Sequence, residues 1–165
     1  MTLNKEIKLT NSDLVVLVDE KDYGTLSKFR WFFDRGYARC VNNNKYMHRL
    51  IMNVANKNWV NKQVDHINHD GLDNQKINLR VCSNKENHRN TLIHRVNKTG
   101  YKGVSFSTSN KLKPYEAKIR VDGIKKYLGH FSSSKSAAFA YNVAAKYYFG
   151  QFALLNSERS PNKTA

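Results

Sequence analysis

The stretch from residue 64 to residue 90, VDHINHDGLDNQKINLRVCSNKENHRN, gathers histidine, aspartate and asparagine between two apolar runs. It predicts a polar loop, a strand and then a helix, because the apolar run "LRV" follows Asn78 and "SNKENHRN" begins as helices do. Asn and Asp side chains also bond the local backbone in turns. A structural loop is therefore the alternative to a site for metal and phosphate.

Two adjacent residues of this stretch suit the hydrolysis of a phosphodiester. That reaction needs a base to deprotonate water, a divalent cation at the scissile phosphate and a group that orients the base. Asp65 offers a carboxylate oxygen, which Mg²⁺ and Mn²⁺ prefer, and His66 has an ordinary pKa of about 6.5. In an extended strand these two side chains point to opposite faces, so a bend is needed to aim both at one phosphate.

The order of these elements is similar to that of a known nuclease family. "YMHRLIM", "VDHIN", "LDNQKINLR" and "ENHRN", within about residues 45–95, resemble the HNH homing endonucleases of phages and introns. The resemblance implies a ββα-metal (His-Me finger) fold in which Asp65 and Asn87 hold one divalent metal, Mg²⁺ or Mn²⁺. It also implies that His66 activates water and that Asn78 orients it. His88 is the alternative last ligand; Asn87 is favoured because homing members of this type use "EN" there.

Other residues of the first half receive weaker assignments. His48 is either a phosphate contact or a packed strand residue, and Arg89 is a second candidate phosphate contact. Residues 1–44 receive no chemical role. Short strands are predicted at "LVVLVD", "RWFF", "GYARCV" and "KYMHRLIM". The residues expected only to shape the polar loop are His69, Asp70, Asp73 and Asn74.

Residues 100–156 predict a second compact unit. "YKGVSFS", "PYEAKIRV" and "IKKYLGHF" are strand-like, and the last two flank Asp122-Gly123, which is typical of a two-residue hairpin turn. The outward face of this hairpin would then hold Lys118, Arg120, Lys125 and Tyr127. The core face would hold Ala117, Ile119, Val121, Ile124 and Leu128.

A helix is predicted to follow this hairpin and to pack on the sheet. "SSSKSAAFAYNVAAKYYFG" can be capped by Ser133 or Ser134 and ended by Gly150. Its alanines recur at helical spacing, so the helix can lie close to the strands. The predicted unit is a small three-stranded antiparallel sheet packed on one helix.

This second unit resembles the APETALA/ethylene-response-factor DNA-binding domain. The similarity covers about residues 99–156 and depends on "GYKGVSF", "YEAKIRV", "KKYLGHF", "SAAFAYNVAAKYYFG" and "FALLN". That family lays its sheet in the major groove. Serines stand here where arginines are usual, and tyrosines replace tryptophans, which implies weaker base specificity. The implied DNA contacts are Ser105, Ser107, Lys118, Arg120, Lys125 and Tyr127.

Charge and composition favour a nucleic-acid partner. The chain has 165 residues and a formal net charge of +15; residues 94–165 hold 13 Lys and Arg against 3 Asp and Glu. A basic half of this kind predicts binding to a polyanion, most commonly nucleic acid. No run approaches the ~20 apolar residues of a membrane span, and no signal peptide is recognised. Cys40 and Cys82 are expected to be reduced thiols rather than a disulfide.

The sequence therefore predicts an α+β protein with an HNH nuclease domain at residues 1–93 and a basic linker at 94–99. An APETALA/ERF-like domain at 100–156 and a disordered tail at 157–165 complete the expected order. The predicted activity is metal-dependent nicking of double-stranded DNA by a monomer, with a dimer as the alternative. Phage or mobile-element origin and action in the bacterial cytoplasm are expected. The rival hypotheses are a non-catalytic DNA-binding regulator and an enzyme that degrades a host genome.

Overall fold

In the computed structural model of the protein, residues 3–53, 62–89 and 97–157 are described. The chain divides into two compact units, residues 1–87 (the first unit) and 88–165 (the second unit). Both combine helices with small antiparallel sheets. Among the described helices, none is long and apolar enough to cross a membrane. Part of the predicted linker, residues 94–96, and nearly all of the predicted tail, residues 158–165, lie outside the described residues.

Three antiparallel hairpins, three short α-helices and a 3-10 turn at Lys76–Asn78 lie in the described part of the first unit, and the last two residues of the third helix belong to the second unit. In chain order the strands and α-helices are β1 (Asn4–Lys8), β2 (Val15–Asp19), α1 (Glu20–Leu26), β3 (Trp31–Asp34), β4 (Tyr37–Cys40), α2 (Met47–Asn53), β5 (Lys62–His66), β6 (Leu79–Ser83) and α3 (Asn84–Arg89). β1 pairs with β2, β3 with β4, and β5 with β6. The strands predicted at "LVVLVD", "RWFF" and "GYARCV" are confirmed as β2, β3 and β4.

The strand predicted at "KYMHRLIM" is wrong, because most of this segment forms helix α2. Met47 and Ile51, one helical turn apart, are both buried in the core of the first unit. Residues four apart lie on one face of a helix, so both side chains of α2 reach this core. Trp31, Val16 and Val18 are fully buried in the same core.

The β5–β6 hairpin and helix α3 follow the predicted order of strand, loop, strand and helix. Asp65 lies opposite Arg80 and His66 opposite Leu79. Helix α3 begins directly after β6 because Ser83 and Glu86 form a capping box. The Ser83 amide donates to Glu86 Oε2 at 2.8 Å, and the Glu86 amide donates to Ser83 Oγ at 3.3 Å. The side chains at the end of β5 and on α3 are thus held in one compact motif.

The described part of the second unit contains a three-stranded antiparallel sheet and a long helix. Its elements are β7 (Val104–Phe106), β8 (Tyr115–Val121), β9 (Ile124–Phe131) and α4 (Ser134–Phe149). The predicted hairpin between β8 and β9 is confirmed, with Lys118 opposite Tyr127 and Arg120 opposite Lys125. Asp122 and Gly123 both have positive φ, as the predicted two-residue turn requires.

One core assignment in this hairpin is wrong. Ile124 is 66% exposed, although Ala117 and Ile119 on the same face are buried against α4. Ile124 is the first residue after the turn, and its cross-strand partner Val121 is only half-buried. Burial of this face therefore decreases toward the turn.

Both ends of helix α4 follow the sequence prediction. Ser133 is the capping residue, because its Oγ accepts a hydrogen bond from the Ser136 amide at 3.1 Å. Gly150, with φ +54°, ends the helix. Tyr141 and Ala145 on the inner face of α4 pack against Ile119 of the sheet.

Candidate active site

Asp65 lies at the end of β5 with its carboxylate held by an arginine. Arg80, directly opposite on β6, donates from Nε and Nη2 to Asp65 Oδ2 at 2.8 and 2.6 Å. The Asp65 residue is only 8% exposed. A mostly buried carboxylate is stable as an anion when a cation balances its charge. Asp65 is therefore a negatively charged oxygen donor in a place that already attracts a cation.

Asn87 is anchored on the same side of the hairpin as Asp65. Its Nδ2 donates to Gln63 Oε1 at 2.6 Å, and Gln63 precedes Asp65 by two residues on β5. Alternate residues of a strand share a face. Because the amide nitrogen is engaged, the amide oxygen is the atom that can face a cation. His88, the alternative ligand, is exposed.

These two side chains fit a hard divalent cation. A carboxylate and an amide oxygen are donors that Mg²⁺ and Mn²⁺ accept, and Mg²⁺ commonly takes only one or two protein ligands, with water and phosphate completing its shell. Within the described residues, no group of three His, Cys, Asp or Glu side chains could hold a metal.

His66 follows Asp65 and projects into different surroundings. It is 5% exposed, and burial lowers the pKa of its imidazole. A hydrogen bond with the Asn74 side chain and the nearby charges of Asp65, Asp73 and Asp70 oppose that decrease. A lowered pKa keeps the imidazole neutral at neutral pH, which is the form that accepts a proton.

The rings of Tyr37 and His48 contact His66, and Tyr46 contacts both of these rings; the four residues form the ring cluster. The centroids of His48 and His66 are 5.0 Å apart in an edge-to-face arrangement. Burial, together with the charges of His66 and Arg49, lowers the pKa of His48 to about 3. His48 is therefore a neutral, packed side chain of helix α2, and its contact with phosphate stays a prediction.

Asn78 bonds to the loop that follows His66. Its Oδ1 accepts from the Asn68 amide at 3.0 Å, and its Nδ2 donates to Asn68 Oδ1 at 2.9 Å and to the Asp73 carbonyl at 2.8 Å. Asn74, whose Nδ2 donates to the Gly71 carbonyl at 3.1 Å, acts to raise the pKa of the His66 imidazole. Sequence reasoning assigned Asn74 only to the turn, because nothing local separates a loop asparagine that bonds backbone from one that faces a histidine.

The second unit presents a positively charged surface, the basic face, consisting of Lys118, Arg120, Lys125 and Tyr127. All four side chains are exposed; Lys118 and Arg120 alternate with Ala117 and Ile119 of β8, which pack on α4, and Lys125 and Tyr127 are their cross-strand partners on β9. They therefore lie on the side of the sheet away from the helix. Lys118 also pairs with Glu116 at 2.8 Å.

The remaining predicted contacts lie beside the basic face or elsewhere in the second unit. Ser105 is exposed on β7, whereas the Ser107 hydroxyl lies 2.7 Å from that of Ser109. The Arg89 guanidinium stacks 4.9 Å from the Phe149 ring centroid, and its Nη2 is 3.6 Å from Asp122 Oδ1. Contacts of these side chains with DNA stay predictions.

Comparison with known proteins gives one informative similarity. A curated protein of Acanthamoeba polyphaga mimivirus, named as an uncharacterized HNH endonuclease, is 29% identical over 135 residues, which are 79% of this chain and 68% of the relative. No protein-family model and no solved structure matches the chain. The similarity supports a nuclease of the HNH type.

Proposed function

We propose that the protein is a metal-dependent HNH DNA endonuclease of the homing type, which nicks one strand and is targeted by its C-terminal unit. The observation that carries the proposal is the pair at the end of β5. A buried, arginine-held carboxylate and a buried imidazole with a lowered pKa are adjacent in the chain, and Asn87 is anchored on the carboxylate side. The viral relative's name supports the same class of reaction.

In this mechanism His66 takes a proton from a water molecule, which attacks phosphorus in line with the leaving oxygen. Burial keeps the imidazole neutral and ready to accept that proton. Asn78 holds the loop that follows His66 in place through bonds to Asn68 and Asp73. A divalent cation on Asp65 and Asn87 would stabilise negative charge on the phosphate and the leaving oxygen. The products are a 5′-phosphate and a 3′-hydroxyl.

The proposed targeting surface is the basic face of the second unit. Its exposed cations are suited to phosphate contacts, and the exposed ring of Tyr127 lies among them. One candidate active site per chain favours nicking; a double-strand break would need two chains or two sequential cuts. The target sequence would depend on base contacts beside these cations.

The test is cleavage of supercoiled plasmid that carries DNA from the native locus, in the presence of Mg²⁺. We expect the wild-type protein to produce open circles and His66→Ala to abolish that activity. His69→Asn is the matched control, because His69 is exposed in the same loop and asparagine tolerates its φ of +65°. Cleavage by His66→Ala at a comparable rate would contradict the proposal.

Two further outcomes separate the alternatives. If the wild-type protein binds the plasmid without nicking it, the hypothesis of a non-catalytic DNA-binding regulator is favoured over the nuclease. Sequencing of the cut ends distinguishes a homing enzyme, with one site, from an enzyme that degrades a genome at many sites. Loss of activity in Asn87→Ala but not in His88→Ala would identify the last metal ligand.

A further inference from the structure

The loop after His66 packs directly on the turn between β3 and β4. A Cβ atom at position 71 would lie 2.6 and 2.8 Å from Cδ1 and Cε1 of Tyr37 and would overlap the carbonyl oxygen of Gly36. The φ of Gly71 is not in the left-handed region, so glycine is required here only because a side chain would not fit. Gly71 thus allows the loop to approach the Tyr37 ring closely.

The Tyr37 ring also contacts the other three rings of the ring cluster. Its centroid lies 5.7 Å from that of His66, 5.3 Å from His48 and 5.9 Å from Tyr46. These distances are within the range of favourable aromatic pairs. Tyr37 is 39% exposed, so its ring packs on the buried imidazole and also reaches the surface.

The β3–β4 hairpin fixes the side of the cluster away from His66. The Tyr46 hydroxyl donates to Asp34 Oδ2 at 2.9 Å, and Arg39 Nη1 donates to the same oxygen at 3.1 Å. Asp34 is the cross-strand partner of Tyr37. The Arg39 guanidinium also lies 5.6 Å from the Tyr46 ring centroid. Tyr37 is therefore held by a hairpin in which Asp34 is bonded to both Arg39 and Tyr46.

We infer that Tyr37 is a positioning residue for the proposed base: its ring, packed against Gly71 on one side, fixes the orientation of the His66 imidazole. The inference depends on the proposed nuclease function, which it extends to the segment before residue 45. A catalytic base must be correctly oriented to act efficiently, because a small displacement of a catalytic group lowers the reaction rate steeply. Tyr37 acts through His66 and needs no contact with the reacting atoms.

The experiment compares Tyr37→Ala, Tyr37→Leu and Tyr37→Phe in the full chain, with Tyr23→Ala as the control. Tyr23 lies on α1 and is 37% exposed, close to the value for Tyr37. We expect Tyr37→Ala and Tyr37→Leu to lower kcat for plasmid nicking about 10- to 100-fold with little change in KM. Tyr37→Phe keeps the ring and should retain most of the activity, and Tyr23→Ala should cleave normally.

A second readout does not depend on activity. NOE contacts between the His66 and His48 rings, whose centroids lie 5.0 Å apart, should change in Tyr37→Leu, which keeps apolar volume without the ring, and should persist in Tyr23→Ala. Folded Tyr37→Leu with wild-type kcat and unchanged NOE contacts between these rings would overturn the inference and leave the nuclease proposal intact. Equal loss in Tyr37→Phe would also overturn it, because the hydroxyl would then be the active part. Wild-type protein that cleaves no DNA would overturn the proposed function itself.

Discussion

At the scale of single residues, the structure gives two adjacent side chains different surroundings. Asp65 and His66 project from opposite faces of β5, so one meets a guanidinium and the other meets aromatic rings. A carboxylate balanced by a cation stays charged, and a buried imidazole stays neutral. Alternation along the strand therefore explains their different surroundings, and the bend expected to aim both side chains at one phosphate is not seen within β5.

The Asp65–Arg80 pair can be tested by removing the guanidinium. Arg80→Met takes the cation away from a buried carboxylate, so we expect the free energy of unfolding to fall by about 3 kcal/mol in urea denaturation. The control is Lys5→Met, because Lys5 and Glu20 form a half-exposed pair, for which a decrease below about 1 kcal/mol is expected.

The Arg80→Met variant also tests whether Asp65 binds a divalent cation. If Asp65 can bind a divalent cation, Mg²⁺ should raise the Tm of Arg80→Met more than that of the wild type, because the carboxylate then lacks its guanidinium. An equal response of the two proteins to Mg²⁺ would argue against Asp65 as a ligand.

The pKa of His48 predicts how stability depends on pH. It is about 3 in the folded protein and about 6.5 in an unfolded chain, so the unfolded state binds more protons between these values. Stability should therefore decrease as the pH falls below about 6.5, by about 1.4 kcal/mol per pH unit from this group. The lowered pKa of His66 acts in the same direction.

Urea unfolding between about pH 7 and pH 5 measures this slope above the range in which ordinary carboxylates titrate. His48→Gln should flatten it, since glutamine does not titrate. A slope that is the same in the variant would show that His48 is not the group responsible.

At the scale of elements, turns and caps determine where the site residues lie. The capping box at Ser83 starts α3 directly after β6, which brings Asn87 back to the face of β5 that carries Gln63. In the second unit, the Asp122-Gly123 turn sets the pairing that puts Arg120 opposite Lys125. The capping box and the turn each depend on a few neighbouring residues, so the local sequence is enough to specify them.

Gly103, which directly precedes β7 and packs close to α4, gives a prediction at the scale of elements. Gly103 has φ +74°, and a Cβ there would overlap the Tyr141 ring and lie 2.6 Å from the Lys118 carbonyl oxygen. We expect Gly103→Ala to destabilise the second unit by about 3 kcal/mol through strain and overpacking. The measurement is hydrogen exchange of peptides from residues 100–156.

Gly123→Ala separates strain from crowding. Gly123 has φ +84°, but a Cβ atom at this position would have no neighbouring atom within 4 Å, so only the backbone penalty of about 1 kcal/mol is expected. Similar destabilisation in the two variants would show that contact with Tyr141 is unimportant.

At the scale of the whole molecule, the candidate chemistry and the strongest charge belong to different units. The proposed catalytic and metal-binding residues lie within residues 1–87, and the basic face lies within 88–165. We therefore expect His66→Ala to bind target DNA with wild-type affinity while failing to cut it. Loss of binding and cutting together would contradict this division.

The salt dependence of DNA binding tests whether the basic face of the second unit contacts DNA. If Lys118, Arg120 and Lys125 each bind one phosphate, replacing any of them by glutamine should reduce the slope of log K against log salt by about 0.9. Lys146→Gln, on the exposed side of α4, should leave the slope unchanged. An unchanged slope in the first three variants would place the interface elsewhere.

Local rules account for what the sequence by itself determined: most strands, the β8–β9 register, the start and end of α4, and the adjacency of an acid and an imidazole. Each depends on alternation, turn chemistry or capping within a few residues. Tertiary structure alone decided that residues 47–53 are helical, that Arg80 holds Asp65, and that Tyr37 and His48 pack against His66. Those contacts depend on how hairpins and loops pack together, and no spacing along the chain records which ring or amide will meet a given imidazole.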